Sequence, residues 1–215
     1  MALPPPIGSP DPPLYGIDIE TDTSVDGLDP TCSPIVAVAV DGAGVEAVLT
    51  GDEAPLLQEL DVLLRDLPAG VLVTWNGARF DLPFIADRCR WLGLDVGLRL
   101  HESAERCDDP LPGHSSAYLA SWYGHSHLDG YRLFRSDAGR ALPVSCGLKN
   151  LARLVGLEPF EVDRSAIHDL SPDELRRYVL SDARLARQMV ERRLATALGA
   201  VDVVPSARCH TGVEG

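Results

Sequence analysis

Tyr15-Gly16-Ile17-Asp18-Ile19-Glu20 reads as a strand with two acids on one side of it. In an extended chain alternate residues share a face, so Asp18 and Glu20 point one way while Ile17 and Ile19 point the other. Neighbouring carboxylates repel each other and are costly to bury. Two readings stand for such a strand. The acids are solvated at a strand end, or they seat a hard cation, because Mg²⁺ takes oxygen ligands and tolerates the pair.

Around this strand the pattern of apolar residues changes period. Ile35 to Val40 and Val45 to Leu49 read as two strands joined by a tight turn at Asp41-Gly42-Ala43-Gly44. Glu53 to Leu67 carries Leu56, Leu57, Leu60, Leu63 and Leu64 at helical spacing. Val71 to Thr74 is a short apolar strand, and Leu82 to Leu92 a helix that follows an Asn76-Gly77 turn. Residues 101–143 mix Pro, Gly, His and aromatics and read as irregular, with a candidate strand at Tyr131 to Phe134. Leu148 to Val155 is helical and stops at Gly156. Ser171-Pro172-Asp173-Glu174 supplies an N-cap, a first-position proline and first-turn acids for a helix running to about Leu198. Strands followed by alternating helix and strand, with no internal repeat or second boundary, predict one α/β domain over residues 14–198. A disordered proline-rich tail (1–13) and a flexible C-terminal tail (199–215) flank it.

Composition narrows the setting. A chain of 215 residues is long enough to bury one proper core. No apolar run reaches the roughly 18–20 residues of a membrane span, and the N-terminus has no signal-peptide features, so the expectation is a cytoplasmic protein with no membrane contact. Cys32, Cys89, Cys107, Cys146 and Cys209 include no CxxC pair and read as free thiols. A net charge of −13 excludes a passive nucleic-acid coating protein, whose affinity rests on neutralising phosphates. It does not exclude a nuclease, because an acid cluster is far less negative once cations fill it.

Two further segments carry chemistry. Trp75-Asn76-Gly77-Ala78-Arg79-Phe80-Asp81-Leu82-Pro83-Phe84 lies where an apolar strand ends and a helix begins. Such junctions are common sites in α/β proteins, but Asp81 also reads as the N-cap of that helix and Asn76-Gly77 as a plain turn. Tyr178 and Asp182 are four apart on the last helix and share a stripe with Leu185 and Met189, which face the protein body. An acid on such a stripe is rarely left unpaired, and an arginine partner is as open as a metal.

In combination and in this order, Asp-x-Glu on the first strand, Asn-x-x-x-Phe-Asp-x-Pro at a helix start and Tyr-x-x-x-Asp on a late helix resemble the three exonuclease motifs of the DEDD superfamily. Tyr178, four before the last acid, resembles the DEDDy branch; the sister branch has a histidine five before it, where this chain has Arg177. The likeness covers residues 14–198 and is closest to the proofreading exonuclease domain of family B DNA polymerases and their stand-alone bacterial relatives. His127-Leu128-Asp129-Gly130-Tyr131-Arg132 and Gly147-Leu148-Lys149-Asn150-Leu151 resemble secondary stretches of that family.

The resemblance implies an RNase H-like α/β fold, a mixed central sheet flanked by helices, with an acidic site at its centre. It implies two divalent cations, Mg²⁺ or Mn²⁺. Asp18, Glu20 and Asp182 would coordinate one, Asp18 would also touch the second, and Asp81 would hold the second ion's water shell. Tyr178 would orient the attacking water. Asn76 and Phe80 are candidates for the terminal nucleotide, and Lys149 and Arg132 for phosphate. The activity implied is 3′→5′ hydrolysis at the 3′ end of single-stranded nucleic acid, with DNA favoured and RNA open. The acidic surface implies modest unaided affinity, which leaves room for an unidentified protein partner. The alternative is a catalytically silent nuclease-fold module that binds a protein or a nucleic-acid end.

The remaining features have plainer readings. Arg176, Arg177, Arg184 and Arg187 fall largely opposite Tyr178 and Asp182 and read as a solvated face. His114, His125 and His127 match no zinc spacing and read as loop or local packing residues.

Overall fold

The residue that sets the architecture is Gly16. A Cβ there would lie 2.0 Å from the carbonyl oxygen of Ala183, so only glycine lets a helix lie this close against the first strand. The structure is a computed structural model that describes residues 11–202 apart from 107–109, 142–143, 198 and 200. Most of both tails expected from the sequence lies outside these residues, as do Cys107 and Cys209.

Seven strands form one mixed sheet: β1 (Leu14–Thr21), β2 (Ile35–Gly42), β3 (Val45–Thr50), β4 (Val71–Thr74), β5 (Leu98–Arg106), β6 (Ser116–Trp122) and β7 (His125–Asp129). Their order is β3-β2-β1-β4-β7-β6-β5. The three central strands β1, β4 and β7 are parallel to one another, and the outer pairings are antiparallel. Helices α1 (Glu53–Asp66) and α2 (Asp81–Leu92) cover one face, packing Leu57, Leu60, Leu82 and Phe84 against Ile17, Ile19 and Val38. On the other face lie α3 (Gly130–Ala141), α4 (Leu148–Leu154), the long α5 (Pro172–Glu191) and the short α6 (Leu194–Ala197). There Leu14, Val71, Val73 and Leu128 meet Leu133, Leu151, Leu185 and Met189, while Ala37 and Ala39 meet Val179 and Ala183. Small residues at that last contact let α5 sit low on the sheet. The α/β architecture expected from the sequence is the one observed.

Several local expectations are corrected. Tyr131 to Phe134 is helix, not strand. Asp129 Oδ1 accepts hydrogen bonds from the Tyr131 and Arg132 amides at 2.9 and 3.4 Å, which starts α3, and Leu133 and Phe134 turn into the core. The stretch expected to be irregular holds β5, β6 and β7. The last helix stops at Glu191 rather than near Leu198, because the chain turns so that Leu194 and Ala197 pack back on the α3–α4 cluster. Of the residues beyond Gly199 that the structure describes, Asp202 meets β7: its amide donates to the His127 carbonyl at 2.8 Å, and its carboxylate meets His127 Nδ1 at 2.9 Å.

The arginines of α5 are not simply solvated. Arg187 reaches Asp41 at 2.7 Å, and Arg184 meets Asp41 at 3.3 Å and Glu46 at 2.6 Å, which ties the helix to the β2–β3 hairpin. His125 and His127 are buried strand residues rather than loop residues. The Gly70 amide donates to His125 Nδ1 at 3.1 Å, which leaves the ring proton on Nε2 to donate to the Leu64 carbonyl at 2.7 Å. Cys32, Cys89 and Cys146 are unpaired thiols, and burial pushes Cys89 up to about 12. No helix among the described residues is long and apolar enough to cross a membrane.

Candidate active site

Along β1, Leu14, Gly16, Asp18 and Glu20 share the face under α5. Because α5 crosses so close at Gly16, its preceding turns carry Asp182 and Tyr178 over the acids of the strand. One carboxylate oxygen from each of Asp18, Glu20 and Asp182 lies within 4.8 Å of the others. The start of α5 is fixed by a complete capping box between Ser171 and Glu174 and by Pro172 in its first turn, so the phase of Tyr178 and Asp182 is set from the helix N-terminus.

Asp81 arrives from the other side. Strand β1 pairs with β4 only as far as Gly16 and Val73, so beyond that point the two strands diverge and the turn after β4 fills the gap. Asn76 takes a left-handed conformation there (φ 71°), and a Cβ on Gly77 would strike Thr74. Asp129 clamps the turn, accepting from the Asn76 amide at 2.9 Å and from the Ala78 amide at 3.1 Å. Asp81 is the first residue of α2, not its N-cap. Phe80 holds that position, and no side chain caps the helix. The Asp81 carboxyl is instead buried beside the Ile19 amide of β1.

These residues line an open cleft of about 1000 Å³. Asn76, Phe80 and Lys149 line it too, so eight of the nine candidates from the sequence converge on one region, with Tyr178 buried immediately behind the cleft wall. Lys149 extends from the first turn of α4 to place its Nζ 3.3 Å from Asp182 Oδ2 and 4.0 Å from the ring centroid of Tyr178. Arg132 is engaged elsewhere, 3.6 Å from Asp202, and lines a separate cavity of about 690 Å³. Arg164 is a cleft residue for which the sequence offers no signal. It sits in no motif, and the 3-10 turn that carries it (Arg164–Asp169) has no apolar periodicity.

The electrostatics are those of crowded acids. Burial, with Asp182, Glu20 and Asp81 close by, holds Asp18 well above the usual carboxylate range, although the residue is partly open to the cleft. Burial and then Asp182 raise Glu20 to about 8, and burial raises Asp81 to about 7. Burial also raises Asp182, against the pull of Lys149. Tyr178 is pushed far above its ordinary value, first by burial and then by the charges of Glu20 and Asp182. Among the described residues, Tyr178 Oη and Asp182 Oδ1 are buried without a hydrogen-bond partner of sound geometry. Unpaired buried polar atoms and mutually repelling carboxylates each cost free energy. A divalent cation fits this donor set, because it would take the orphaned Asp182 oxygen and relieve the repulsion together.

Residues 4–151 match the family model for the DNA polymerase family B exonuclease domain. The catalytic polypeptide of DNA polymerase epsilon from Saccharomyces cerevisiae is 32% identical over 137 residues, which are 61% of this chain and 6% of that protein. Its counterpart from Schizosaccharomyces pombe is 31% identical over the same shares. The chain therefore spans a small part of the length of these relatives. In structure, it is similar to the family B DNA polymerase of the archaeon Pyrobaculum calidifontis, with a TM-score of 0.69 at 21% identity over 86% of this chain and 25% of the other. That likeness identifies the fold as RNase H-like. The family match stops before Tyr178 and Asp182, so the place of those two residues in the site rests on geometry.

Proposed function

The chain belongs to the exonuclease domain family of the family B DNA polymerases, within the DEDD superfamily, and on that footing we propose a metal-dependent 3′→5′ exonuclease acting on single-stranded ends. The observation that carries this reading is the convergence of Asp18, Glu20 and Asp182 within 4.8 Å, from a strand and a helix far apart in sequence. A merely structural role does not account for it, since the arrangement is unfavourable without a cation. Asp18, Glu20 and Asp182 would hold one ion, and Asp18 and Asp81 would serve the second. Two divalent cations held there, Mg²⁺ or Mn²⁺, would supply a water of lowered pKa and would offset charge on the leaving 3′-oxygen.

The side chains do the positioning. Tyr178 stays neutral throughout the working pH range, so its hydroxyl orients a water by hydrogen bonding and does not act as a bulk base. Lys149 fixes Asp182 and shields its charge. Asn76 and Phe80 line the cleft where the terminal nucleotide would enter, the amide for polar contact and the ring for packing against the base. A single strand suits a site whose acids lie at the base of a cleft, because a duplex end would first have to unpair. DNA is the favoured substrate by family; none of these residues reads a 2′-hydroxyl. The catalytic unit proposed is residues 14–198, with Asp202 as an added tether.

The test is digestion of 5′-labelled single-stranded DNA and RNA with Mg²⁺ or Mn²⁺, comparing wild type with Asp18→Ala and Asp182→Ala. The reading requires a ladder that shortens from the 3′ end and is abolished by either substitution and by EDTA. Wild type as inert as both variants on both substrates would sink it in favour of a silent binding module.

A further inference from the structure

Two cations reach the acid cluster from the protein itself, and they are held differently. Lys149 is engaged, at 3.3 Å from Asp182 and stacked over Tyr178. Arg164 lines the same cleft, and its charge acts on Asp18, Glu20, Asp182 and Tyr178. Yet among the described residues it makes no ion pair and no hydrogen bond. An arginine within electrostatic reach of several carboxylates, but in contact with none, leaves a gap that a ligand can occupy.

The backbone beneath Arg164 is held in place. Asp163 caps the 3-10 turn, accepting from the Ser165 amide at 3.0 Å and from the Ser165 hydroxyl at 2.7 Å. Four residues on, His168 Nδ1 lies 2.8 Å from Thr23 Oγ1, and the His168 amide donates to the same oxygen at 3.3 Å. Thr23 is three residues past Glu20. The turn that carries Arg164 is thus tied to the strand end that carries the acids, and the guanidinium stands over the cleft from an anchored base.

Charge decides what fills the gap. Asp18, Glu20, Asp81 and Asp182 match two divalent cations in charge, so a phosphate added to the loaded site brings negative charge for the basic side chains of the cleft to meet, and Lys149 is already turned to Asp182. A guanidinium presents a planar fork of donors that matches two phosphate oxygens. We propose that Arg164 binds the non-bridging oxygens of the terminal phosphate, as the scissile diester before cleavage and as the 5′-phosphate of the released nucleotide after it. This rests on the exonuclease reading above and adds a substrate-binding residue to it.

The experiment is calorimetric titration of thymidine 5′-monophosphate into Mn²⁺-loaded wild type, Arg164→Ala and Arg164→Lys, with Mn²⁺ titrated alone into each. The expected result is a tenfold or greater loss of nucleotide affinity in Arg164→Ala and a partial loss in Arg164→Lys. Mn²⁺ affinity without nucleotide should be unchanged or tighter in Arg164→Ala, because a competing positive charge has left the acids. Wild-type nucleotide affinity retained by Arg164→Ala overturns the assignment alone. So does a parallel fall in Mn²⁺ affinity, which would make Arg164 a structural support for the cluster. Wild type that holds Mn²⁺ but no nucleotide and degrades no single strand overturns the exonuclease reading and this assignment together.

Discussion

Lys149 Nζ lies 3.3 Å from Asp182 Oδ2, joining a short helix to a long one across the acidic cleft. The contact lowers the pKa of an acid that burial raises, and so favours the ionised form that a cation needs. Removing the ammonium leaves Asp182 harder to ionise. For Lys149→Ala we expect the acid limb of kcat/KM against pH to move to higher pH, with a rate at pH 7 lower by about tenfold for each unit of displacement. Lys149→Arg, which keeps the charge, should largely restore the limb. A fall in rate with the limb unmoved would assign Lys149 to substrate instead of Asp182.

The raised carboxylates also link metal, pH and stability. Glu20 at about 8 and Asp81 at about 7 bind protons in the folded protein over a range where the unfolded chain has released them. With unfolded values near 4, the stability these groups contribute is fully present below that pH and is lost as pH rises through 7 and 8. In EDTA the melting temperature should therefore fall between pH 5 and pH 8, and Mg²⁺ or Mn²⁺ should restore it at the upper end. Glu20→Gln should raise metal-free stability at pH 8 by on the order of 1–3 kcal/mol while lowering metal affinity. Melting curves that are flat over this range in EDTA would contradict the crowding of these acids.

Tyr178 separates function from stability more sharply. Its hydroxyl is buried without a partner of sound geometry among the described residues, while its ring packs under Lys149. Tyr178→Phe keeps the ring and deletes an unsatisfied polar atom, so the melting temperature in EDTA should be unchanged or higher. The rate of strand degradation should fall by about 10²-fold or more if the hydroxyl positions the attacking water. A variant with wild-type turnover would remove Tyr178 from the reaction.

What is legible in the sequence is local. The Ser171–Glu174 capping box and Pro172 announce α5 because their chemistry is complete within four residues, and the Asp18–Glu20 alternation announces an acidic strand face for the same reason. The strands β5 and β6 are not legible. Their pairing is antiparallel, and stretches such as Ser116-Ala117-Tyr118 interleave small and polar residues without clean alternation. The aromatic content of Tyr131 to Phe134 suggests a strand, although Asp129, two residues before it, carries a usable N-cap signal for helix. Arg187 and Arg184 read as solvated because a helical wheel cannot show that the β2–β3 hairpin rises beside α5 and presents Asp41. Arg164 is invisible because its place in the cleft depends on a contact between Thr23 and His168 that spans 145 residues of chain.

The site depends finally on a residue with no side chain. Gly16 faces α5 one alternation before Asp18, and an added Cβ would meet the backbone of Ala183 at 2.0 and 2.8 Å, with Arg187 Cβ at 3.1 Å. Backbone cannot swing aside as a flexible side chain does, so Gly16→Ala must lift α5 away from the sheet or push β1 out of register with β4. Overpacking of this kind costs about 1–3 kcal/mol, and more where backbone must move. The same displacement would carry Asp182 away from Asp18 and Glu20. We therefore expect Gly16→Ala to lower the urea midpoint and, in the fraction that stays folded, to weaken Mn²⁺ affinity by tenfold or more. Asp41→Ala, on the neighbouring hairpin, should also lower the midpoint, because it removes the buried carboxylate that Arg184 and Arg187 share, but it should leave Mn²⁺ affinity much closer to wild type. Equal losses of Mn²⁺ affinity in the two variants would mean that the cluster responds to general loosening of α5 and not to its height above Gly16.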